Sequence, residues 1–285
     1  RLPQPAMCSR SSFATCEVTM KLGAHIGPYV GAAVGQRGAA SPLAGVTRDA
    51  TSLIYRPQTA AEWNTVLAAA GASALTPIFG LNCQVASGDL VNTFGGSGFN
   101  GVVGGTLAYQ QAVAGWTAQC VKTTAGSTGW SRSVNAGIPD IASSSLLVLA
   151  LNVFPASSVG DRTIMQMGAA FGTRVGMDSD ASNRIVGFSS PNSVVGTVGN
   201  WGATRFTFTL INRSTSISRV GTNLEILSPA TAVDPAGQEI VWGGDFSDTW
   251  NAGGSGLIDL WAFSGDCTQA MLKSIIQTCG QTVAW

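Results

Sequence analysis

The chain has 285 residues, of which 45% are hydrophobic and only 11% charged, with 36 glycines and 15 Lys+Arg balanced by 15 Asp+Glu. Disorder, which needs low hydrophobicity and high net charge, is excluded. Nucleic acid is disfavoured as a partner because no basic run exists to contact phosphates. The longest apolar run, Leu146 to Leu151, is far shorter than the ~20 residues a membrane-crossing helix needs, so no membrane span is expected.

Residues 1–56 read as an extended Gly/Ala-rich N-terminal arm. Between Leu22 and Gln36 there is no Asp, Glu, Lys or Arg, and glycine recurs too often for a stable helix. Such an arm could lie as a terminal strand on its own core or grip another protein subunit of an assembly. His25, the single histidine, sits here and reads as a packing residue. The chain begins at Arg1 rather than Met, which is consistent with a processed or shortened N-terminus.

Residues 57–77 form a capping segment. Thr59 with Glu62 three residues later makes a capping box, and Gly71 is a C′ glycine. Trp63, Val66, Leu67 and Ala70 share one face, so the helix should dock as a lid on the edge or end of a sandwich.

Residues 78–285 read as strands. Runs at 78–85, 90–94 and 116–121 are separated by glycine turns. Further runs follow at 143–154, 162–168, 171–177 and 184–189, with Asp178 to Asn183 as a turn. Residues 205–211 alternate most cleanly, placing Phe206, Phe208 and Leu210 on one face. Short strands are expected at 216–220, 224–227 and 240–242, and a closing strand at 256–263. A second helix, capped by Asp266 or Thr268, stops at Gly280. The fold class is therefore all-β: a two-sheet antiparallel sandwich with two short peripheral helices.

Six cysteines occur, Cys8, Cys16, Cys83, Cys120, Cys267 and Cys279, without a CxxC. Cys83 and Cys120 could cross-link neighbouring strands and Cys8 and Cys16 could close a small loop; the alternative is buried thiols. Disulfides would imply an extracellular or virion-surface setting. Cys267 and Cys279 lie at opposite ends of one helix, about 18 Å apart, and cannot pair with each other.

The segment from Ala86 to Gly101, ASGDLVNTFGGSGFNG, together with the ending Gly256-Leu-Ile-Asp-Leu-Trp261 and its helix, resembles the concanavalin A-like lectin/glucanase superfamily of the laminin-G-like type. Residues 57–71, with Tyr109-Gln-Gln and Gly115-Trp, are similar to domains of phage-encoded and bacterial surface proteins. The resemblance implies a jelly roll with a concave face, and glycoside hydrolases of this fold use closely spaced carboxylates on one strand. Here Glu17, Glu62, Glu225 and Glu239 have no carboxylate two residues away, so the chain is expected not to be an enzyme.

Binding is the remaining chemistry. Trp242, Asp245, Asp248, Trp250 and Asn251 combine aromatic platforms with oxygen donors in a glycine-rich loop, which could make a lectin-type rim site for glycan; the alternative is an ordinary Asp/Asn/Gly turn. No metal is required, although Asp245 and Asp248 could hold calcium. Trp116, Trp130 and Trp201 read as core or edge packing. The expected function is a non-catalytic lectin-like module on a virion or cell exterior, with a secreted carbohydrate-binding lectin as the alternative and a polysaccharide-cleaving enzyme third.

Overall fold

The computed structural model describes residues 41–123, 129–156, 162–168, 174–180, 182, 184–189, 192–200, 202–229, 236–244 and 255–285. The first helix is α1 (Ala60–Ala69). The strands that follow are β1 (Thr76–Asn82), β2 (Val91–Asn92), β3 (Val102–Gly104), β4 (Leu107–Gln111), β5 (Cys120–Thr123), β6 (Trp130–Val134), β7 (Leu146–Val153) and β8 (Arg162–Gly168). The chain continues through β9 (Arg174–Ser179), β10 (Arg184–Ser189), β11 (Asn192–Gly199), β12 (Thr204–Asn212), β13 (Ile217–Thr222), β14 (Ile226–Leu227), β15 (Glu239–Trp242) and β16 (Gly256–Ser264), then α2 (Gln269–Thr278).

These strands make two antiparallel sheets packed as a sandwich. The nine-stranded sheet runs β14-β13-β12-β7-β16-β1-β2, with β5 on the free stretch of β16 and β4 on β5. The seven-stranded sheet runs β11-β10-β9-β8-β15-β6-β3. Leu146, Val148 and Ala150 of β7 face Met165, Met167, Val175 and Met177 across the space between the sheets. Leu147, Leu149 and Leu151 point the other way, into a second core beneath α1 and α2. β7 is therefore buried on both faces, which explains why its sequence is one continuous apolar run.

That second core places the helices. Trp63, Val66 and Leu67 of α1, and Leu272, Ile275 and Ile276 of α2, lie with Phe206, Phe208, Trp261 and Phe263. The expected lid is thus found on the outer face of the nine-stranded sheet rather than at an edge, because Phe206, Phe208 and Leu210 turn away from the inter-sheet core. Thr59 caps α1 by accepting from Glu62 N at 3.1 Å. Glu62 in turn accepts from Gln58 N and Thr47 N, each at 3.0 Å, so half of the box ties down the preceding chain. Thr268, not Asp266, caps α2.

Leu43, Val46 and Ile54 are buried in the same second core, and the compact unit begins at Pro42. Residues 42–56, grouped with the arm by composition, thus form a strap on the sheet. The rest of the arm, with Cys8, Cys16 and His25, lies outside the described residues.

Candidate functional site

Two places on the described surface bring polar side chains together. The first is an open cleft of about 270 Å³ lined by Arg48, Asp49, Arg56, Gln84 and Thr117. Its polar groups are occupied by the chain itself. The Asp49 carboxylate accepts from the backbone N–H groups of Thr51, Ser52, Thr117 and Ala118 at 2.7–3.1 Å. Burial pushes this carboxyl up, but hydrogen bonds from Ser52, Ala118 and Thr117 outweigh it and hold the pKa at about 2. Gln84 clasps the backbone of Gln119 through both ends of its amide. Arg48 donates to Leu53 O at 2.7 Å and lies over the Tyr55 ring at 5.2 Å. This cleft joins the strap to the sheet.

The second place is the β3–β6 side of the outer face of the seven-stranded sheet, on which no described helix or strap lies; further in on the same face, Val241, Gln166 and Arg174 are buried. Along β6, Ser131 and Ser133 point inward and are buried, whereas Trp130, Arg132 and Val134 point outward. Arg132 makes a bidentate pair with Glu239 of β15, Nη2 to Oε1 at 2.5 Å and Nε to Oε2 at 3.0 Å. Register places Gly104 opposite Trp130, Val102 opposite Arg132 and Glu239 opposite Val134. Further along the same face, Arg174 donates to Gln166 Oε1 at 2.5 Å and stands 4.3 Å over the Phe188 ring. Gln166 Nε2 is buried and has no partner among the described residues.

Trp242, expected on the rim, lies between the sheets. It is 1% exposed and donates its indole N–H to Asn152 Oδ1 at 2.7 Å. It cannot stack on a sugar, because β15 turns it inward with Ile240. Asp245, Asp248, Trp250 and Asn251 lie outside the described residues, as does Trp201. Their loop starts after Gly244, where an added Cβ would stand 2.9 Å from Trp130 Cβ.

The expected cross-link of Cys83 to Cys120 is not formed; Cys83, Cys120, Cys267 and Cys279 are buried free thiols. Cys83 faces the inter-sheet core and Cys120 the core under the helices, so the two side chains leave the sheet in opposite directions. Burial raises the pKa of each thiol, to about 11 for Cys120 and about 12 for Cys267.

Other carboxylates among the described residues are likewise engaged. Glu225 accepts from Thr197 N at 2.7 Å, Asp180 pairs with Arg184, Asp140 accepts from Ala142 N and Gly237 N, and Asp89 accepts from Val103 N. Asp178 and Asp180, expected together in a turn, are split: Asp178 ends in β9, and Asp180 N and Arg184 O close the hairpin at 3.0 Å.

No family model and no curated protein sequence matches the chain. Among solved structures it is similar to Trypanosoma rangeli sialidase in complex with 2,3-difluoro-KDN, with a TM-score of 0.56 and 8% identity over 70% of this chain and 32% of that chain. The sialidase covalent intermediate with 2,3-difluorosialic acid gives 0.55 and 9% over 73% and 34%. A botulinum neurotoxin type C structure, concerned with cell entry dependent on two ganglioside molecules, gives 0.49 and 12% over 72% and 51%. The chain spans about one third of the sialidases it resembles. What it shares with them is a β-sandwich fold, and no described helix is long and apolar enough to cross a membrane.

Proposed function

We propose that the chain is a non-catalytic, lectin-like recognition module, concanavalin A-like in type, on the exterior of a particle or cell. In its leading form it is a virion-associated capsid, decoration or fibre protein that contacts other subunits through its arm and glycans through its sandwich. The observation that carries this reading is the inequality of the two outer faces. Helices and strap cover the nine-stranded sheet, whereas the seven-stranded sheet presents Trp130, Arg132, Val134 and Val102 along its β3–β6 edge. A non-catalytic role is supported by the carboxylates described above, which are spent on backbone N–H groups and guanidinium partners and are not poised across a cleft.

Light scattering on the full chain and on a chain starting at Pro42, alongside a glycan array, tests the reading. The expected result is an assembly that reverts to monomer when residues 1–41 are removed, with glycan retained by both chains. Monomers in both cases with glycan retained would favour the secreted lectin, which the half-buried Trp130 at the sheet edge supports. Release of reducing sugar from a polysaccharide panel would overturn the non-catalytic reading. Asp245 and Asp248 carry oxygen donors suited to calcium, and loss of retention in EDTA would assign the ion to the site.

A further inference from the structure

Trp130 has glycine on two sides, Gly104 of β3 and Gly244 just past the end of β15. A Cβ at Gly104 would stand 2.2, 2.3 and 2.8 Å from Cζ2, Cε2 and Cη2 of the indole, so the ring occupies the room above the β3 backbone that any other residue would fill. On the other side, Gly244 lies against the root of the same side chain. Trp130 itself is only half-buried. The indole thus rests on bare backbone near the sheet edge, where a buried anchor would instead be enclosed by side chains.

The neighbours of the ring complete a small patch. Arg132, two residues on, lies about 7 Å further along the strand on the same face. Its bidentate pair with Glu239 sets one charge against the other, so the described part of the patch is polar without net charge. Val102 and Val134 flank the pair and are 53% and 52% exposed. From Trp130 to Val134 the patch runs about 13 Å. A stable protein partner covers about 800 Å² per side, well beyond a patch of this length.

We propose that this patch is a subsite for an uncharged pyranose. The C–H face of the sugar stacks on Trp130 and Val102, and its hydroxyls donate to Glu239, whose carboxylate Arg132 holds in position. Each carboxylate oxygen has a second lone pair beyond the one used by the guanidinium. An acidic sugar is disfavoured: its carboxylate would meet Glu239, and the guanidinium edge that would pair with it is already filled. The subsite therefore selects neutral over sialylated glycans, unlike the sialic acid ligands of the sialidase complexes. It rests on the glycan-contacting part of the function proposed above.

The test is an array of neutral β-glucans, galactans and mannans together with sialylated glycans, probed with the full chain and with W130A, G104V, E239Q and, at the opposite sheet edge, V194K. The wild type should retain a neutral oligosaccharide, W130A, G104V and E239Q should each lose about tenfold in affinity or more, and V194K should match the wild type. G104V keeps the indole and only displaces it. If W130A does not fold, G104V and E239Q decide the matter. Retention that is equal in wild type, G104V and E239Q would overturn the subsite and leave glycan recognition standing. Trp130-dependent retention of sialylated probes alone would overturn the neutral selection. A wild type that retains no probe would remove both the subsite and the glycan part of the proposed function.

Discussion

Arg56 donates its Nε to Asp259 Oδ2 at 2.6 Å across 203 residues of chain, with side chains 9% and 1% exposed. Asp259 sits where β16 bulges, opposite Leu151, and so faces the strap rather than the inter-sheet core. The pair fixes residues 42–58 to the central sheet, helped by Gln58 Nε2 at 3.3 Å.

Burial raises the Asp259 carboxyl from 3.8 to about 6, and the charge and hydrogen bond of Arg56 offset this only in part. Between those two values the native state holds a proton that the unfolded chain releases. The stabilisation from Asp259 is therefore full below about pH 4 and is lost as pH rises through about 6. Asp49 has the opposite sign: its carboxyl is depressed to about 2, so its contribution is present above about pH 4 and disappears as pH falls toward 2. In urea unfolding, Asp259→Asn should remove the decline in stability between about pH 4 and 6 and leave the acid limb intact. A decline that persists in the variant would show that Asp259 is ionised throughout.

Removing the cation leaves a buried carboxylate with only the Gln58 amide beside it. Arg56→Met should cost about 3–5 kcal/mol at neutral pH, and less near pH 5, where Asp259 takes up a proton. The same unfolding series measures both, and a cost independent of pH would contradict the assignment.

Trp63 is fully buried and meets Trp261 and Phe263 edge-on at 5.0 and 4.8 Å. Trp63→Ala should lower stability by about 3–5 kcal/mol. Its indole N–H has no partner among the described residues, so Trp63→Phe forfeits shape but no hydrogen bond. Phenylalanine should accordingly recover more than half of the loss, as read from the shift in thermal midpoint.

The sandwich was legible in the sequence because its strongest strands alternate or run continuously apolar: β8 and β10 keep the bounds read from sequence, and β12, β15 and β16 differ by a residue or so. β11 was not legible. Its sequence NSVVGTVG neither alternates nor buries a face, and Gly196 breaks it. The glycine leaves room for a distant residue, since a Cβ there would lie 2.1 Å from Glu225 Oε2 and displace the carboxylate that accepts from Thr197. The candidate site failed to show for a related reason. Trp242 and Trp130 lie on neighbouring strands, and strand register turns one inward and leaves the other over Gly104. The serines at 131 and 133 gave the available signal, marking Trp130, Arg132 and Val134 as a shared face.

A polar tie crosses the sandwich from Trp242 to Asn152 to Thr207, with the last two residues on the nine-stranded sheet. Asn152→Ala strands a buried indole N–H and removes the donor to the Thr207 hydroxyl, which keeps its own bond to Ala150 O at 3.4 Å, so it should cost about 2–4 kcal/mol. Trp242→Phe in the Asn152→Ala background should then cost less than it does alone, because the bond it breaks is already gone. A double-mutant cycle by urea unfolding measures that coupling, and additive costs would mean that the tie contributes nothing.

Thiol reactivity separates the buried-thiol arrangement from the cross-linked one. Cys83, Cys120, Cys267 and Cys279 are each at most 2% exposed, and burial raises their pKa values, so the thiolate that alkylates is scarce in the native protein. Iodoacetamide at about pH 8 should leave all four unmodified, and the same reagent in guanidinium without reductant should label all four, as read by peptide mass spectrometry. If Cys83 and Cys120 label in guanidinium only after a reductant is added, the two are disulfide-bonded. The sheet would then have to turn one of them to the other face, which means a one-residue shift of β5 on β16 and an exchange of the side chains that Val121 and Lys122 present to core and solvent. Unreduced labelling would fix the observed register, with Val121 in the inter-sheet core and Lys122 in water.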